Sequence, residues 1–177
     1  MILKLKRTPG IYLVGFMGCG KTTVGRLVAE EIGWRFADLD EDIEREQHAT
    51  IPQLFSTIGE EAFRQIEHQA LVRRVRRVQS GHPTVLALGG GTFTRDDNIE
   101  LANDNGVSIW IDATIDLVRL RVASSAHRPL AKDPERFEAL YHARRHAYSR
   151  ADYRIVVAEN NSKDVAAQVL DLPIFHK

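Results

Sequence analysis

The stretch Gly10-Ile-Tyr-Leu-Val-Gly15-Phe-Met-Gly-Cys-Gly20-Lys-Thr-Thr23 decides the fold. Gly10 to Val14 reads as a buried strand. Lys21 to Ile32 reads as a helix, stopped by Gly33. Between them, Gly15 to Thr22 fits the pattern G-x-x-x-x-G-K-[ST] without exception. Glycines let such a loop turn successive N–H groups inward as an anion nest. The helix that follows adds the positive end of its dipole. The pattern therefore predicts a site for the phosphates of a nucleoside triphosphate. Its candidate contacts are Gly18, Cys19, Gly20, Lys21, Thr22 and Thr23. Lys21 would reach the β- and γ-phosphates, and the Thr22 hydroxyl would ligate Mg²⁺. Cys19 reads as a small loop residue whose alkylation could block the site.

Outward from this loop, short apolar runs alternate with amphipathic ones. Trp34 to Ala37 is a second strand candidate, followed by a charged helical segment from Asp40 to His48. Glu60 to Gln79 reads as a long helix. Ala62, Phe63, Ile66 and Ala70 form its apolar stripe, with arginines opposite. Thr84 to Leu88 is a third strand that runs into Gly89-Gly90-Gly91. Val107 to Ile111 and Tyr153 to Val157 are the fourth and fifth, and a closing helix follows. Strands separated by helices predict an α/β fold whose parallel sheet is buried on both faces. The polar, proline-punctuated stretch 123–134 reads as a flap.

The chain has 177 residues, which suits one domain, 1–177, with a small lid. Twenty-four basic and 24 acidic residues give zero net charge, so no bulk attraction to nucleic acid or an anionic membrane is expected. The arginine run Val72 to Val78 reads as a solvated helix face. No apolar run approaches a membrane span. The charges of Met1 to Arg7 fall where a signal peptide needs its apolar stretch. The single cysteine forms no internal disulfide, and a reducing cytoplasm is the expected setting. His142 and His146 share a helix face but lack a third metal ligand. Trp34 and Trp110 read as core.

Three further clusters carry chemistry. Asp38 and Asp40 stand at i and i+2 where the second strand ends, so strand alternation would turn both to one side. One could hold Mg²⁺ through water, and the other could accept a hydrogen bond from a reacting hydroxyl. Either could instead cap the next helix. Arg64 and Glu67 lie at i and i+3, so the carboxylate can orient the guanidinium as a receptor for a planar acid. Gly89 to Gly91 allow a ligand close to the backbone. Arg128-Pro-Leu130 sits in the flap. Arg144 lies on the next helix, with Tyr148 one turn on.

In this order, the Gly15–Thr23 loop with Gly25-Arg26, Asp38 and Asp40, Phe63-Arg64 with Glu67, Gly89 to Gly91, and Arg128-Pro-Leu130 resemble shikimate kinase. Arg144 with Tyr148 is a looser match. Arg144-Arg-His-Ala-Tyr148 replaces the family's frequent Arg-x-Pro-Leu-Tyr, so Arg145 competes for the role of Arg144. The resemblance implies a P-loop kinase fold: a five-stranded parallel sheet in three α/β/α layers, a substrate region at about 40–70 and a short lid at about 123–134. It implies ATP-dependent phosphorylation of the 3-hydroxyl of shikimate, on the route to chorismate and the aromatic amino acids, with ADP as co-product. It implies Thr22 and Asp38 at Mg²⁺, and Asp40 at the reacting hydroxyl. Arg64, Arg144 and Gly89, Gly90 and Gly91 would receive the substrate. Arg128 would reach the phosphates, with Arg121 near the adenine. A monomer is expected. Two other readings stay open: a kinase of another hydroxy acid such as gluconate, and a nucleotide-binding regulator without turnover.

Overall fold

The computed structural model describes residues 10–124 and 133–176. Five strands form one parallel sheet: β1 (Gly10–Val14), β2 (Arg35–Asp38), β3 (Thr84–Ala87), β4 (Gly106–Ala113) and β5 (Tyr153–Val157), in the order β2-β3-β1-β4-β5. Seven helices accompany them among the described residues: α1 (Lys21–Ile32), α2 (Leu39–Gln47), α3 (Ile51–Gln79), α4 (Asp96–Asp104), α5 (Ile115–Ala123), α6 (Pro134–Tyr148) and α7 (Ser162–Leu170). None is long and apolar enough to cross a membrane.

Every residue of β1 and β3 is buried, so their apolar runs need cover on both sides. One cover is α1 packed beside α7, and another is α3 packed beside α4. In α1, a Cβ on Gly25 would lie 2.6 Å from the Phe36 ring, so glycine sets how closely this helix seats on the sheet. Gly33 ends α1 in the left-handed conformation, at φ 69°, as the sequence predicts.

Two boundaries differ from expectation. The second strand starts at Arg35 and includes Asp38, and α2 begins at Leu39. The long helix has a first segment the sequence reading lacked, opened by a capping box between Thr50 and Gln53. Gly59, at φ 81° and ψ 169°, breaks it one residue before the expected start at Glu60. Across that break, Phe55 packs on Phe63 with ring centroids 4.5 Å apart.

The expected stripe on this helix is also corrected. Ala62 is exposed and Ile66 half-buried, whereas Phe63, Glu67, Ala70, Leu71, Val75 and Val78 face inward. Glu67, a carboxylate, is 1% exposed. Nor is the arginine run wholly solvated. Arg74 grips the buried Asp42 of α2 through two nitrogens, and Arg73 pairs with Glu46. These pairs tie α2 to α3. Trp110 is core, with Arg145 and Arg154 each 4.9 Å from its ring centre, but Trp34 is only half-buried.

Candidate active site

The strand order sets β1 between β3 and β4. The Gly15–Gly20 loop therefore leaves the sheet beside Gly89-Gly90-Gly91, although the two are some seventy residues apart. With the end of β2 they border a cavity of about 640 Å³, walled by Lys21, Thr22, Asp38, Asp40, Gly89 and Gly90 among others. It lies at the carboxyl ends of the strands, the usual ligand position in such sheets.

Gly15, Gly18 and Gly20 have φ of 145°, 76° and 102°, values that favour glycine. Lys21 lies along its own loop, with Nζ donating to the carbonyls of Gly15 at 2.7 Å and Phe16 at 3.1 Å. Cys19 is not among the residues that line the cavity. It is 2% exposed, and its N–H donates to the Phe16 carbonyl. Arg121 of α5 bridges the loop to Asn160. It donates to the Gly18 carbonyl at 3.1 Å and to Asn160 Oδ1 at 2.9 and 3.1 Å.

Asp38 does two jobs at once. Its Oδ1 accepts from the N–H groups of Asp40 and Glu41, capping α2, while Oδ2 accepts from the Thr22 hydroxyl at 2.7 Å. The two aspartates thus converge through a helix cap. The strand alternation expected for them is absent, because Leu39 is already helical. Asp40 stands over Gly89, where a Cβ would come within 2.7 Å of Asp40 Oδ1. Burial, reinforced by the charges of Asp38 and Glu67 and opposed by Lys21, pushes the Asp40 carboxyl from 3.8 up to about 7.

The two other glycines face arginines. A Cβ on Gly91 would collide with the Arg64 guanidinium, and one on Gly90 would lie 3.1 Å from Arg144 Nη1. Arg64 is held from several sides. Glu67 accepts from it at 2.8 Å, Glu60 lies at 3.5 Å, and the Phe55 and Phe63 rings sit 5.7 and 5.4 Å from Cζ. Thr92 occupies the other Glu67 oxygen, at 2.8 Å.

Arg144 lies 5.8 Å from the Phe16 ring centre. Phe16 in turn packs edge-on against Phe137 and Tyr141, joining the phosphate loop to α6. Arg145 points elsewhere. It pairs with both oxygens of Asp112, at 2.5 and 3.0 Å, and donates to Tyr141. Of the two competitors, Arg144 is the one beside the glycines. Tyr148 donates to the Gly90 carbonyl, and burial holds its hydroxyl above the usual tyrosine range.

The structure thus gathers Lys21, Thr22, Asp38, Asp40, Gly89 and Gly90 on one cavity, with Arg64, Gly91 and Arg144 against its glycine edge. Arg128 and most of the expected lid lie outside the described residues. Asn160 and Ser162, which also line the cavity, were missed by the sequence reading. Asn160 and Asn161 look alike in sequence, yet Asn161 caps α7 while Asn160 receives Arg121. No cluster of three metal-binding side chains occurs among the described residues, the histidine pair included.

The family model for shikimate kinase matches residues 17–172. A shikimate kinase from Cereibacter sphaeroides is 38% identical over 172 residues, covering 96% of this chain and 83% of its own. One from Persephonella marina is 35% identical over 161 residues, covering 90% and 96%. Among solved structures, the shikimate kinase from Acinetobacter baumannii in complex with shikimate superimposes with a TM-score of 0.87 at 35% identity, covering 97% and 96%. Motif order, site geometry and these likenesses agree: the chain belongs to the shikimate kinase family.

Proposed function

We infer that this site transfers the γ-phosphoryl group of ATP to the 3-hydroxyl of shikimate, giving shikimate 3-phosphate and ADP. The observation that carries the reading is the juxtaposition along three consecutive glycines. Gly89 faces an aspartate, and Gly90 and Gly91 face one arginine each. A hydroxy acid laid on that strip meets cations at one end and a proton acceptor at the other.

Phosphoryl transfer asks for positioning and charge neutralisation more than for covalent help. Lys21 and the loop amides bind the β- and γ-phosphates. Arg121 and Asn160 bound the nucleotide end. Arg64 and Arg144 grip the carboxylate and so aim one hydroxyl at the phosphorus. Asp40 accepts that hydroxyl's hydrogen bond and takes its proton as the bond to phosphorus forms. A carboxyl titrating at about 7 suits that role, since it is ionised at a mildly alkaline pH and basic enough to bind the proton. Arg128, from the lid, would add positive charge at the phosphates and help exclude water.

The Thr22 hydroxyl and Asp38 carboxylate offer hard oxygen donors, 2.7 Å apart, beside the phosphate loop. That chemistry fits Mg²⁺, which takes few protein ligands and keeps waters and phosphate oxygens. The ion would neutralise phosphate charge and orient the triphosphate. Asp38 would hold it through water, with Thr22 as direct ligand. We propose further that the chain works as a monomer in the cytoplasm. Its single, buried thiol supports a reducing setting.

The test is ADP release with Mg·ATP against a panel of hydroxy acids that includes shikimate and gluconate, with Lys21→Ala as control. Turnover restricted to shikimate supports the reading. Preference for gluconate, or ATP binding without turnover on any acid, overturns it.

A further inference from the structure

Behind Arg64 runs a buried polar chain that the mechanism above leaves unused. Both oxygens of Glu67 are engaged, Oε1 by Arg64 Nη1 and Oε2 by Thr92 Oγ1, each at 2.8 Å. Thr92 is fully buried, and its backbone is held on two sides. Its N–H donates to the Gly89 carbonyl at 3.1 Å, and its carbonyl accepts from Asn98 Nδ2 at 2.9 Å. Asn98 is also fully buried. Since its amide nitrogen donates to Thr92, its Oδ1 accepts from His68, whose Nδ1 is 2.7 Å away and so carries the proton. Arg95 also donates to the main-chain carbonyl of Arg64, at 3.2 Å.

A buried carboxylate is stable only while its oxygens are satisfied. Among the described residues, Thr92 is the hydrogen-bond donor to Glu67 Oε2. Without it, that oxygen needs another donor, and Arg64, already bonded to the same carboxylate, carries a second nitrogen. Arg64 would then spend its planar fork on Glu67 and lose it for a guest. We propose that Thr92 is a positioning residue for the acid substrate: its hydroxyl holds Glu67 in a one-oxygen grip on Arg64, leaving the rest of the guanidinium for the substrate carboxylate. The proposal rests on Arg64 being the carboxylate receptor. It adds a residue that touches neither substrate nor nucleotide.

The experiment is steady-state kinetics of Thr92→Val and Thr92→Ser in the full chain, with thermal melts alongside. Wild-type turnover of shikimate is measured first and tests the functional reading by itself. The positioning role then predicts that Thr92→Val, which keeps the shape and removes the donor, raises the shikimate KM roughly tenfold while the ATP KM stays put. Thr92→Ser, which restores the hydroxyl, returns the shikimate KM to near wild type. An unchanged shikimate KM in Thr92→Val overturns the proposal. So does a parallel rise of both KM values, which marks a structural role, or a failure of serine to rescue. Should Thr92→Val not fold, Thr92→Ala adds no bulk and carries the same expectations and the same refuting results.

Discussion

Replacing Asp40 by Asn separates what the carboxylate costs the fold from what it does for the reaction. Burial and the charges of Asp38 and Glu67 raise its pKa from 3.8 to about 7. Ionised Asp40 is therefore carried at the expense of stability. The sign follows from linkage: the folded state binds the proton more tightly than the unfolded state. Stability from this group is complete below about pH 4 and is lost as pH rises towards 7, and above that the loss is constant. At 1.36 kcal/mol per pH unit, the whole displacement corresponds to roughly 4 kcal/mol, an upper figure for a site that can relax. Asn carries no charge at any pH. The stability advantage of Asp40→Asn over wild type should therefore widen between pH 5 and pH 8 by up to roughly 3 kcal/mol. Urea unfolding at the two pH values reads this directly. In the same variant kcat should fall on the order of 10²- to 10⁴-fold, the usual range for a lost general base. A gap independent of pH, or a wild type that is the more stable at pH 8, would refute the electrostatic reasoning. Undiminished turnover would remove Asp40 from the chemistry.

Wild-type kcat/KM should rise with pH through about 7 as Asp40 of the free enzyme ionises, and this limb should be absent from the residual activity of Asp40→Asn; a flat profile contradicts the assignment. Gly91→Ala places a methyl group against the Arg64 guanidinium and forces it off the buried Glu67, so steady-state kinetics should show the shikimate KM raised at least tenfold and a thermal melt should show a melting temperature lowered by several degrees. Gly15→Ala meets the Ile111 carbonyl at 2.6 Å and a φ of 145°, and backbone cannot step aside; a melting temperature lowered by several degrees is expected together with weaker ATP binding. Arg121→Ala removes the bridge from Gly18 to Asn160 and should raise the ATP KM several-fold while sparing the shikimate KM, as steady-state kinetics would show.

The core of the fold was legible because its signals are local. Gly10 to Val14 has no polar interruption, Gly33 is a left-handed stop, and Gly15 to Thr22 is a spacing that few other tasks require. The strand order is set by pairings between distant segments, and no local pattern in β3 says that it lies beside β1. That pairing nonetheless brings Gly89 to Gly91 against the phosphate loop. Asp38 and Asp40 were found for an incomplete reason, since the sequence shows their spacing but hides the cap that turns them together. Ala62 is apolar yet exposed, because apolarity alone does not say which side of a helix faces the core. Glu67 takes that inner face, and a buried carboxylate is recognisable only once Arg64 and Thr92 are seen to satisfy it. Arg145 was indistinguishable from Arg144 in sequence. One residue is about 100° of helix rotation, and that rotation sends one guanidinium to Gly90 and the next to Asp112.

The most direct test is a crystal structure of the chain with shikimate and a non-hydrolysable ATP analogue. The account predicts the acid's carboxylate on Arg64 and Arg144, its ring along Gly89 to Gly91, and its 3-hydroxyl hydrogen-bonded to Asp40 and facing the terminal phosphorus. A guest seated with its carboxylate away from both arginines, or with a different hydroxyl at Asp40, would contradict it.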